Sequence, residues 1–215
     1  MTPFLIPRNS FLKLDTKGYH NLYYTGWQQP GNPEFLNRLK NTYNGESAFT
    51  LEQDKQTVIA ILLTDIPLIF SNNGFQSCTC VCVPRAKILN TYFASQMLFR
   101  DAVSQASQIM QGMNIFDGSN ALIRHTNTRT THFRKDDAER ITTTGREKND
   151  GDLPYPGITK ATCHIDENAI YGKDVILIDD IYTSGVNIDE DCIQALYDKG
   201  ARNVIFYAIA LTKRE

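Results

Sequence analysis

Residues 175–187 read VILIDDIYTSGVN, an apolar run followed by two adjacent carboxylates and a short loop of small residues. The apolar run before Asp179 predicts a buried strand of a parallel sheet, because such strands are covered on both faces. A turn and then a helix over residues 188–199 are predicted after the two acids. Backbone N–H groups at a helix N-terminus, together with the helix dipole, favour a bound phosphate. The stretch therefore predicts a site for a phosphorylated sugar, whose hydroxyl groups the carboxylates would bind.

The bulk composition fits one soluble domain with a full core. The chain has 215 residues and a formal net charge of −2, which does not indicate a nucleic-acid-binding surface. No apolar run near the N-terminus is long enough for a signal peptide or a membrane span, so we expect a cytoplasmic protein. Cys78, Cys80 and Cys82 alternate along one predicted strand, and no Cys-x-x-Cys spacing for zinc occurs. We interpret these cysteines as small buried side chains.

The first third of the chain predicts an irregular segment followed by helices. Residues 1–31 are rich in aromatic and turn residues and predict irregular structure. Asn32 and Pro33 predict the start of a short helix. A second helix is expected from about Asp54 to Pro67, with a buried strand as the alternative because this run is apolar and β-branched.

The rest of the chain alternates between strands and helices. Residues 77–83 predict a strand, and Asn90 predicts the start of a long amphipathic helix. Short strands are expected at residues 121–123 and 162–165, and a last strand at residues 203–211. This alternation predicts an α/β fold with a doubly wound, mostly parallel sheet covered on both faces.

The domain organisation follows from where the composition changes. We expect residues 1–50 to form an N-terminal hood segment and residues 51–215 to form the core. A stretch at about residues 126–160 is polar and poor in aliphatic residues, and it predicts a long mobile loop. A lid over the site and an ordinary solvated insertion are both open interpretations of this loop.

Other protein classes also carry two acids after an apolar strand. A Walker B strand would require a Gly-x-x-x-x-Gly-Lys-Ser/Thr loop, which this chain lacks. A phospho-accepting receiver domain has its acid pair near the N-terminus, whereas only one predicted helix and one strand follow Asp180. A structural pair of surface acids stays open, although the loop before a helix favours a binding site.

Residues 175–187 resemble the thirteen-residue phosphoribosyl-pyrophosphate motif of type I phosphoribosyltransferases. More of the chain, about residues 39–213, is similar to the ComF branch of amidophosphoribosyltransferase-like proteins. One similar feature is Leu39 and Lys40 before a Gly-containing turn, and another is a strand that ends in Val83-Pro84-Arg85. A long helix follows this strand, and Arg124-His125-Thr126 then begins the polar stretch. The chain lacks the cysteine-rich N-terminal finger of that branch, and its motif ends with Asn187, where the family usually has Thr or Ser.

The resemblance implies a type I phosphoribosyltransferase-like fold and a Mg²⁺-dependent transferase of nucleotide metabolism. Such an enzyme transfers the phosphoribosyl group of phosphoribosyl pyrophosphate to a nitrogen nucleophile, either a nucleobase or an amine, and releases pyrophosphate. The expected partners are phosphoribosyl pyrophosphate and a small nitrogenous acceptor, without nucleic acid or membrane and with a possible homodimer. The alternative is a non-catalytic regulatory protein of the same fold that binds phosphoribosyl pyrophosphate or a nucleotide.

The resemblance also implies roles for residues of the motif. Asp179 and Asp180 are expected to be the catalytic acids that bind the ribose 2- and 3-hydroxyl groups. Mg²⁺ is expected near these two acids, mainly through substrate and water ligands. The residues expected to bind the ribose 5-phosphate are Thr183, Ser184, Gly185, Val186 and Asn187.

Basic residues outside the motif are expected to bind the pyrophosphate. Arg85 and Lys87 follow the cysteine-containing strand, whose carboxyl end opens at the same sheet edge as Asp179. Three residues of the polar stretch are candidates for a lid that closes over the site: Arg129, Arg134 and Lys135. Acids of the first helical turn after the motif would repel a phosphate if turned inward, so we expect them to face solvent: Asp189, Glu190 and Asp191.

Overall fold

The computed structural model describes residues 1–128 and 159–213. Its strands are β1 (Thr2–Ile6), β2 (Thr16–Tyr24), β3 (Cys78–Cys82), β4 (Ile115–Gly118), β5 (Leu122–Arg124), β6 (Cys163–Ile165), β7 (Asp174–Tyr182) and β8 (Asn203–Thr212). Its α-helices are α1 (Glu34–Lys40), α2 (Ala48–Asn72), α3 (Leu98–Ile109), α4 (Thr159–Thr162), α5 (Glu167–Ile170) and α6 (Ile188–Asp198). No helix within these ranges is long and apolar enough to cross a membrane.

The central sheet has six strands in the order β1-β2-β8-β7-β3-β4. The five strands from β2 to β4 are parallel, and β1 pairs antiparallel with β2 at one edge. The chain runs outward from β3 to β4 on one side, and from β7 to β8 on the other, so the strand order reverses between β3 and β7. In open α/β sheets, a crevice for ligands forms at the carboxyl ends of the strands at such a reversal.

Side chains alternate between the two faces of β7, and each face packs against its own set of helices. Ile176 and Ile178 belong to a core cluster with residues of α1, α2 and α3. Val175 and Leu177 belong to a second cluster that includes residues of α6. Both faces of the sheet are therefore covered, as expected for parallel strands with apolar side chains on both sides. The prediction of an α/β fold with a mostly parallel sheet is confirmed.

The prediction of irregular structure for residues 1–31 is wrong at β1 and β2, which extend the central sheet. Gly18 in β2 makes room for the ring of Phe4 in β1, whose nearest atom would lie 2.7 Å from a Cβ atom at this position. The Phe4 ring also contacts Tyr182 of β7, with ring centroids 5.2 Å apart. The glycine looks like a turn signal in the sequence, but strand pairing and packing of the aromatic ring determine the local structure.

The predicted helix from Asp54 to Pro67 is longer in the structure, because α2 begins after Ser47 and ends at Asn72. The Ser47 side chain caps the helix by accepting a hydrogen bond from the Thr50 backbone N–H at 3.1 Å. The alternative of a strand is wrong. Pro67 lies inside the helix, where buried residues such as Ile66 and Ile69 pack against the core and hold its last turns in place.

The helix predicted to start at Asn90 begins eight residues later, at Leu98. Two short 3-10 turns, Leu89–Thr91 and Ala94–Gln96, precede it. The Gln96 side chain bridges two segments, because its Oε1 accepts from the Phe93 N–H at 3.1 Å and its Nε2 donates to the Asn41 carbonyl at 3.0 Å. These contacts fold the segment back toward the end of α1, so it forms a wall beside the sheet edge instead of a continuous helix.

A buried polar contact connects α2 to the sheet and gives a test of the fold. The Tyr207 hydroxyl of β8 donates to Asp65 Oδ2 at 2.6 Å, and the Asn21 amide donates to the same oxygen at 2.8 Å. We expect Tyr207→Phe to lower the free energy of unfolding by about 1–3 kcal/mol, because it leaves a buried carboxylate with fewer donors. Urea unfolding measures the change. Tyr23→Phe is the control, since that side chain is about half exposed, and equal stabilities of the two variants would contradict the prediction.

Candidate functional site

A cavity of about 380 Å³ lies at the carboxyl ends of β3 and β7, where the strand order reverses. The structure brings residues of the predicted acid pair, phosphate loop and pyrophosphate site together around it. The predicted residues that line it are Asp179, Asp180, Thr183, Val186, Arg85 and Lys87. Ser184, Gly185 and Asn187 belong to the same loop as Thr183. The lid candidates lie outside the described residues: Arg129, Arg134 and Lys135.

The two acids of the pair lie within β7 and point to opposite faces of the sheet, as adjacent residues of a strand must. Asp179 lies beside the Asp189 side chain of α6, whereas Asp180 lies beside α1. The Asp180 Oδ2 atom lies 3.1 Å from the Nζ atom of Lys40, the last residue of α1. The Asp179 Oδ1 atom accepts a hydrogen bond from the Asp180 backbone N–H at 2.8 Å. The Asp180 carboxylate is therefore held by an ion pair, and the Asp179 carboxylate is held by a backbone hydrogen bond.

Asp189 in the first turn of α6 is buried, so the prediction that it faces solvent is wrong. Its side chain lies on the helix face that also buries Cys192 and Ile193, three and four residues further on. This spacing is visible in the sequence and would have placed Asp189 inward. The same correction applies to Glu190, which is buried and accepts a hydrogen bond from the Tyr182 hydroxyl at 2.8 Å. Asp191 is half-buried rather than exposed and accepts from the Thr159 N–H at 2.7 Å.

Burial gives the carboxyl groups of Asp179 and Asp189 unusual proton affinities. Burial, and then the negative charge of Asp180, raise the pKa of Asp179 to about 7. Burial, and then Asp179, raise the pKa of Asp189 well above its ordinary value. A protonated Asp189 can donate a hydrogen bond to Asp179. The Oδ1 atom of Asp189 is buried without a hydrogen-bond partner among the described residues.

The loop after β7 contains two residues with left-handed backbone conformations. Gly185 has φ of 83° and Asn187 has φ of 65°. Asparagine tolerates this conformation better than a β-branched residue does, which suits the backbone of position 187. The Asn187 side chain bridges Asn9 and Gly185, with two hydrogen bonds of 3.0 Å. The loop leads directly into α6, whose first N–H groups have no partner within the helix.

Arg85 is fixed in the cavity wall by contacts with three segments. Its guanidinium group donates to the backbone carbonyls of Lys40, at 3.1 Å, and of Gln96. It also lies over the Tyr92 ring, with Cζ 4.4 Å from the ring centroid. The Tyr92 hydroxyl in turn accepts a hydrogen bond from the Lys87 backbone N–H at 3.0 Å. These contacts hold the loop after β3 at the cavity edge.

Two further arginines line the cavity and were not predicted. Arg100 donates to the carbonyls of Ser119 and Leu122 at 2.9 and 3.0 Å. Arg124 is buried and donates to the Arg85 carbonyl at 2.8 Å and to the Thr162 hydroxyl at 2.6 Å. Within the described residues, neither guanidinium group pairs with a carboxylate. Two signals in the sequence indicate these positions: Arg100 lies three residues before Val103, on the same helix face, and Arg124 ends a predicted strand.

No protein-family model matches this chain, and no curated protein is significantly similar to it. The β7 side of the cavity carries carboxylates, and its opposite side, formed by the loop after β3 and by α3 and β5, carries guanidinium and ammonium groups. An arrangement of this kind suits a ligand with hydroxyl groups at one end and a multiply charged anion at the other.

The raised pKa values predict a stability that depends on pH. An acid with a raised pKa keeps its proton in the folded state at pH values where the unfolded chain has lost it, so stability falls as pH rises from the ordinary value of 3.8 to about 7. We expect Asp189→Asn to stabilise the protein above pH 7, because the wild-type carboxyl group must lose its proton there while it is buried beside Asp179.

This gain should shrink toward pH 4, where the wild-type carboxyl groups are protonated as well. Chemical denaturation at several pH values measures it. Glu46→Gln, the same change at an exposed acid, should show no such trend. A loss of stability in Asp189→Asn at pH 8 would contradict the assignment.

The backbone conformation at position 187 predicts different effects for two substitutions. Asn187→Thr and Asn187→Gly both remove the side-chain hydrogen bonds to Asn9 and Gly185. Only threonine adds strain at a φ of 65°, so we expect the Thr variant to be less stable than the Gly variant by about 1–2 kcal/mol. Thermal unfolding compares the two proteins, and a Thr variant as stable as the Gly variant would exclude a left-handed conformation at this position.

Proposed function

We propose that the cavity binds phosphoribosyl pyrophosphate and that the protein is a phosphoribosyltransferase with a type I phosphoribosyltransferase-like fold. The reaction transfers the phosphoribosyl group to a nitrogen nucleophile, a nucleobase or an amine, with release of pyrophosphate. One observation carries this proposal. The acid pair of β7 continues directly into the loop at the N-terminus of α6, and basic residues line the same cavity of about 380 Å³.

The β7 side of the cavity suits the ribose 5-phosphate part of the ligand. Carboxylates of Asp179 and Asp180 can accept hydrogen bonds from adjacent hydroxyl groups, a charge-assisted contact that selects a diol. Residues 183–187 and the start of α6 can offer backbone N–H groups and the positive end of the helix dipole to a phosphate. Asp189 lies in the same first turn, and its raised pKa reduces the negative charge that would repel this phosphate.

The opposite side suits the pyrophosphate group. Arg85 and Lys87 were expected there from the sequence, and Arg100 and Arg124 line the same cavity. The guanidinium groups of Arg100 and Arg124 bind only neutral oxygens among the described residues. Buried cations without an anionic partner are costly, so an anionic ligand that fills this side would relieve the cost.

The donor set also fits Mg²⁺ in the manner that this ion prefers with phosphate ligands. Within the described ranges, no three His, Cys, Asp or Glu side chains are grouped as ligands of one metal ion. Mg²⁺ commonly binds through one or two carboxylates together with substrate phosphates and waters. Asp179 and Asp180 could hold it in that way, and the ion would neutralise charge on the pyrophosphate oxygens.

The proposed reaction forms a bond between ribose C1 and the nitrogen nucleophile and breaks the bond between C1 and the pyrophosphate oxygen. Pyrophosphate leaves with the electron pair of the broken bond, and the proton of the nucleophile passes to the departing pyrophosphate or to water. Positive charge develops on the ribose ring as pyrophosphate departs. The carboxylates of Asp179 and Asp180 lie beside the ring in this arrangement and stabilise that charge, whereas Arg85 and Lys87 stabilise the leaving group.

The acid pair gives the first test of this proposal. We expect Mg²⁺ and phosphoribosyl pyrophosphate together to raise the melting temperature of the wild-type protein, because a ligand that binds only the folded state stabilises it. The double variant Asp179→Asn, Asp180→Asn should lose this shift. Glu167→Gln combined with Asp198→Asn serves as a control of equal charge change on the surface, and it should keep the shift.

Release of pyrophosphate distinguishes an enzyme from a binding protein of the same fold. A panel of nucleobases and amines, each added with Mg²⁺ and phosphoribosyl pyrophosphate, should contain an acceptor that causes pyrophosphate release. A melting shift without release for any acceptor would favour the regulatory binding protein. A wild-type protein without any melting shift would refute the proposed ligand.

A further inference from the structure

We propose that Lys40 is a positioning residue, whose ammonium group holds the Asp180 carboxylate in the orientation that binds a ribose hydroxyl group. This inference rests on the proposed function and adds a residue from α1 to the site. Lys40 lines the cavity with Asp180, and the two charged groups form an ion pair of 3.1 Å. Within residues 1–128 and 159–213, no other cation forms an ion pair with Asp179 or Asp180, whereas Asp174 at the start of β7 pairs with Arg202.

The backbone of Lys40 is fixed, so its side chain starts from a defined point. Lys40 ends α1, and its carbonyl accepts the hydrogen bond from Arg85 at 3.1 Å. The next residue, Asn41, is buried, has a left-handed conformation and accepts a hydrogen bond from the Gln96 side chain at 3.0 Å. Leu39 is buried in the core beside the sheet. The end of α1 is thus held on both sides of Lys40, and only its side chain can move.

The surroundings of Lys40 keep its ammonium group charged. Burial by itself would lower the pKa of Lys40, but Asp180 and Asp179 outweigh burial, so the pKa is raised. Its side chain is 27% exposed and that of Asp180 is 17% exposed, so solvent screens this ion pair only in part. Lys40 is therefore a charged partner that can fix the direction of the Asp180 carboxylate.

The geometry indicates that Lys40 positions the Asp180 carboxylate and does not block it from a ribose hydroxyl group. Lys40 contacts Oδ2 of Asp180, and a carboxylate has about four acceptor positions on two oxygens. An ammonium group on one oxygen therefore leaves the other free to accept from a hydroxyl group.

Binding measurements with two partial ligands test this role. Ribose 5-phosphate probes the β7 side, and pyrophosphate with Mg²⁺ probes the basic side. We expect Lys40→Met to weaken binding of ribose 5-phosphate by about tenfold and to leave pyrophosphate binding nearly unchanged. Lys40→Arg should restore most of the ribose 5-phosphate affinity, since a guanidinium group can also pair with Asp180. Lys87→Met should show the opposite pattern, with weaker pyrophosphate binding.

A double-mutant cycle shows whether Lys40 acts through Asp180. Lys40→Met should have no further effect on ribose 5-phosphate binding when Asp180→Asn is already present. Isothermal titration calorimetry gives all the dissociation constants.

Three results would overturn the inference. They are an unchanged or tighter affinity for ribose 5-phosphate in Lys40→Met, a loss confined to pyrophosphate binding, and additive effects of Lys40→Met and Asp180→Asn. A wild-type protein that binds neither ribose 5-phosphate nor pyrophosphate would instead refute the proposed function, and the role of Lys40 would fall with it. Any of the three results that would overturn the role of Lys40 is still compatible with the proposed function.

Discussion

The site depends on one geometric constraint, that adjacent residues of a strand point to opposite faces of its sheet. Asp179 and Asp180 are neighbours in β7, yet they meet different elements. Asp179 lies against the start of α6, where Asp189 is buried, and Asp180 meets Lys40 at the end of α1. A parallel sheet with helices on both faces thus gives two identical side chains opposite electrostatic surroundings.

These surroundings explain how a buried acid cluster is tolerated. Burial makes charged carboxylates costly, and the protein reduces this cost with a proton on one side and an ammonium group on the other. The pKa of Asp179 is raised to about 7, whereas Lys40 supplies a positive charge to Asp180. Buried charged groups such as these destabilise the folded protein, and a bound ligand can remove part of that destabilisation. Such groups are typical of functional sites.

Much of the fold and part of the site could be predicted from the sequence. The apolar run before Asp179 and the loop after it carry local signals, and the structure places them as predicted. The prediction of irregular structure for residues 1–31 is wrong because strand pairing outweighs the turn residues in this segment, and Gly18 makes room for Phe4 from the neighbouring strand. Asp189 was misjudged because its charge was given more weight than its helical spacing from Cys192 and Ile193. Lys40 was missed because its contact with Asp180 joins residues far apart in the chain.

A crystal structure of the protein with Mg²⁺ and phosphoribosyl pyrophosphate tests the central claim most directly. The account predicts that the 5-phosphate lies at the backbone N–H groups of residues 183–187, with the ribose hydroxyl groups at Asp179 and Asp180. It also predicts that the pyrophosphate group lies toward Arg85 and Lys87. A ligand bound outside this cavity, or a pyrophosphate group at residues 183–187 with the ribose away from the two acids, would contradict the account.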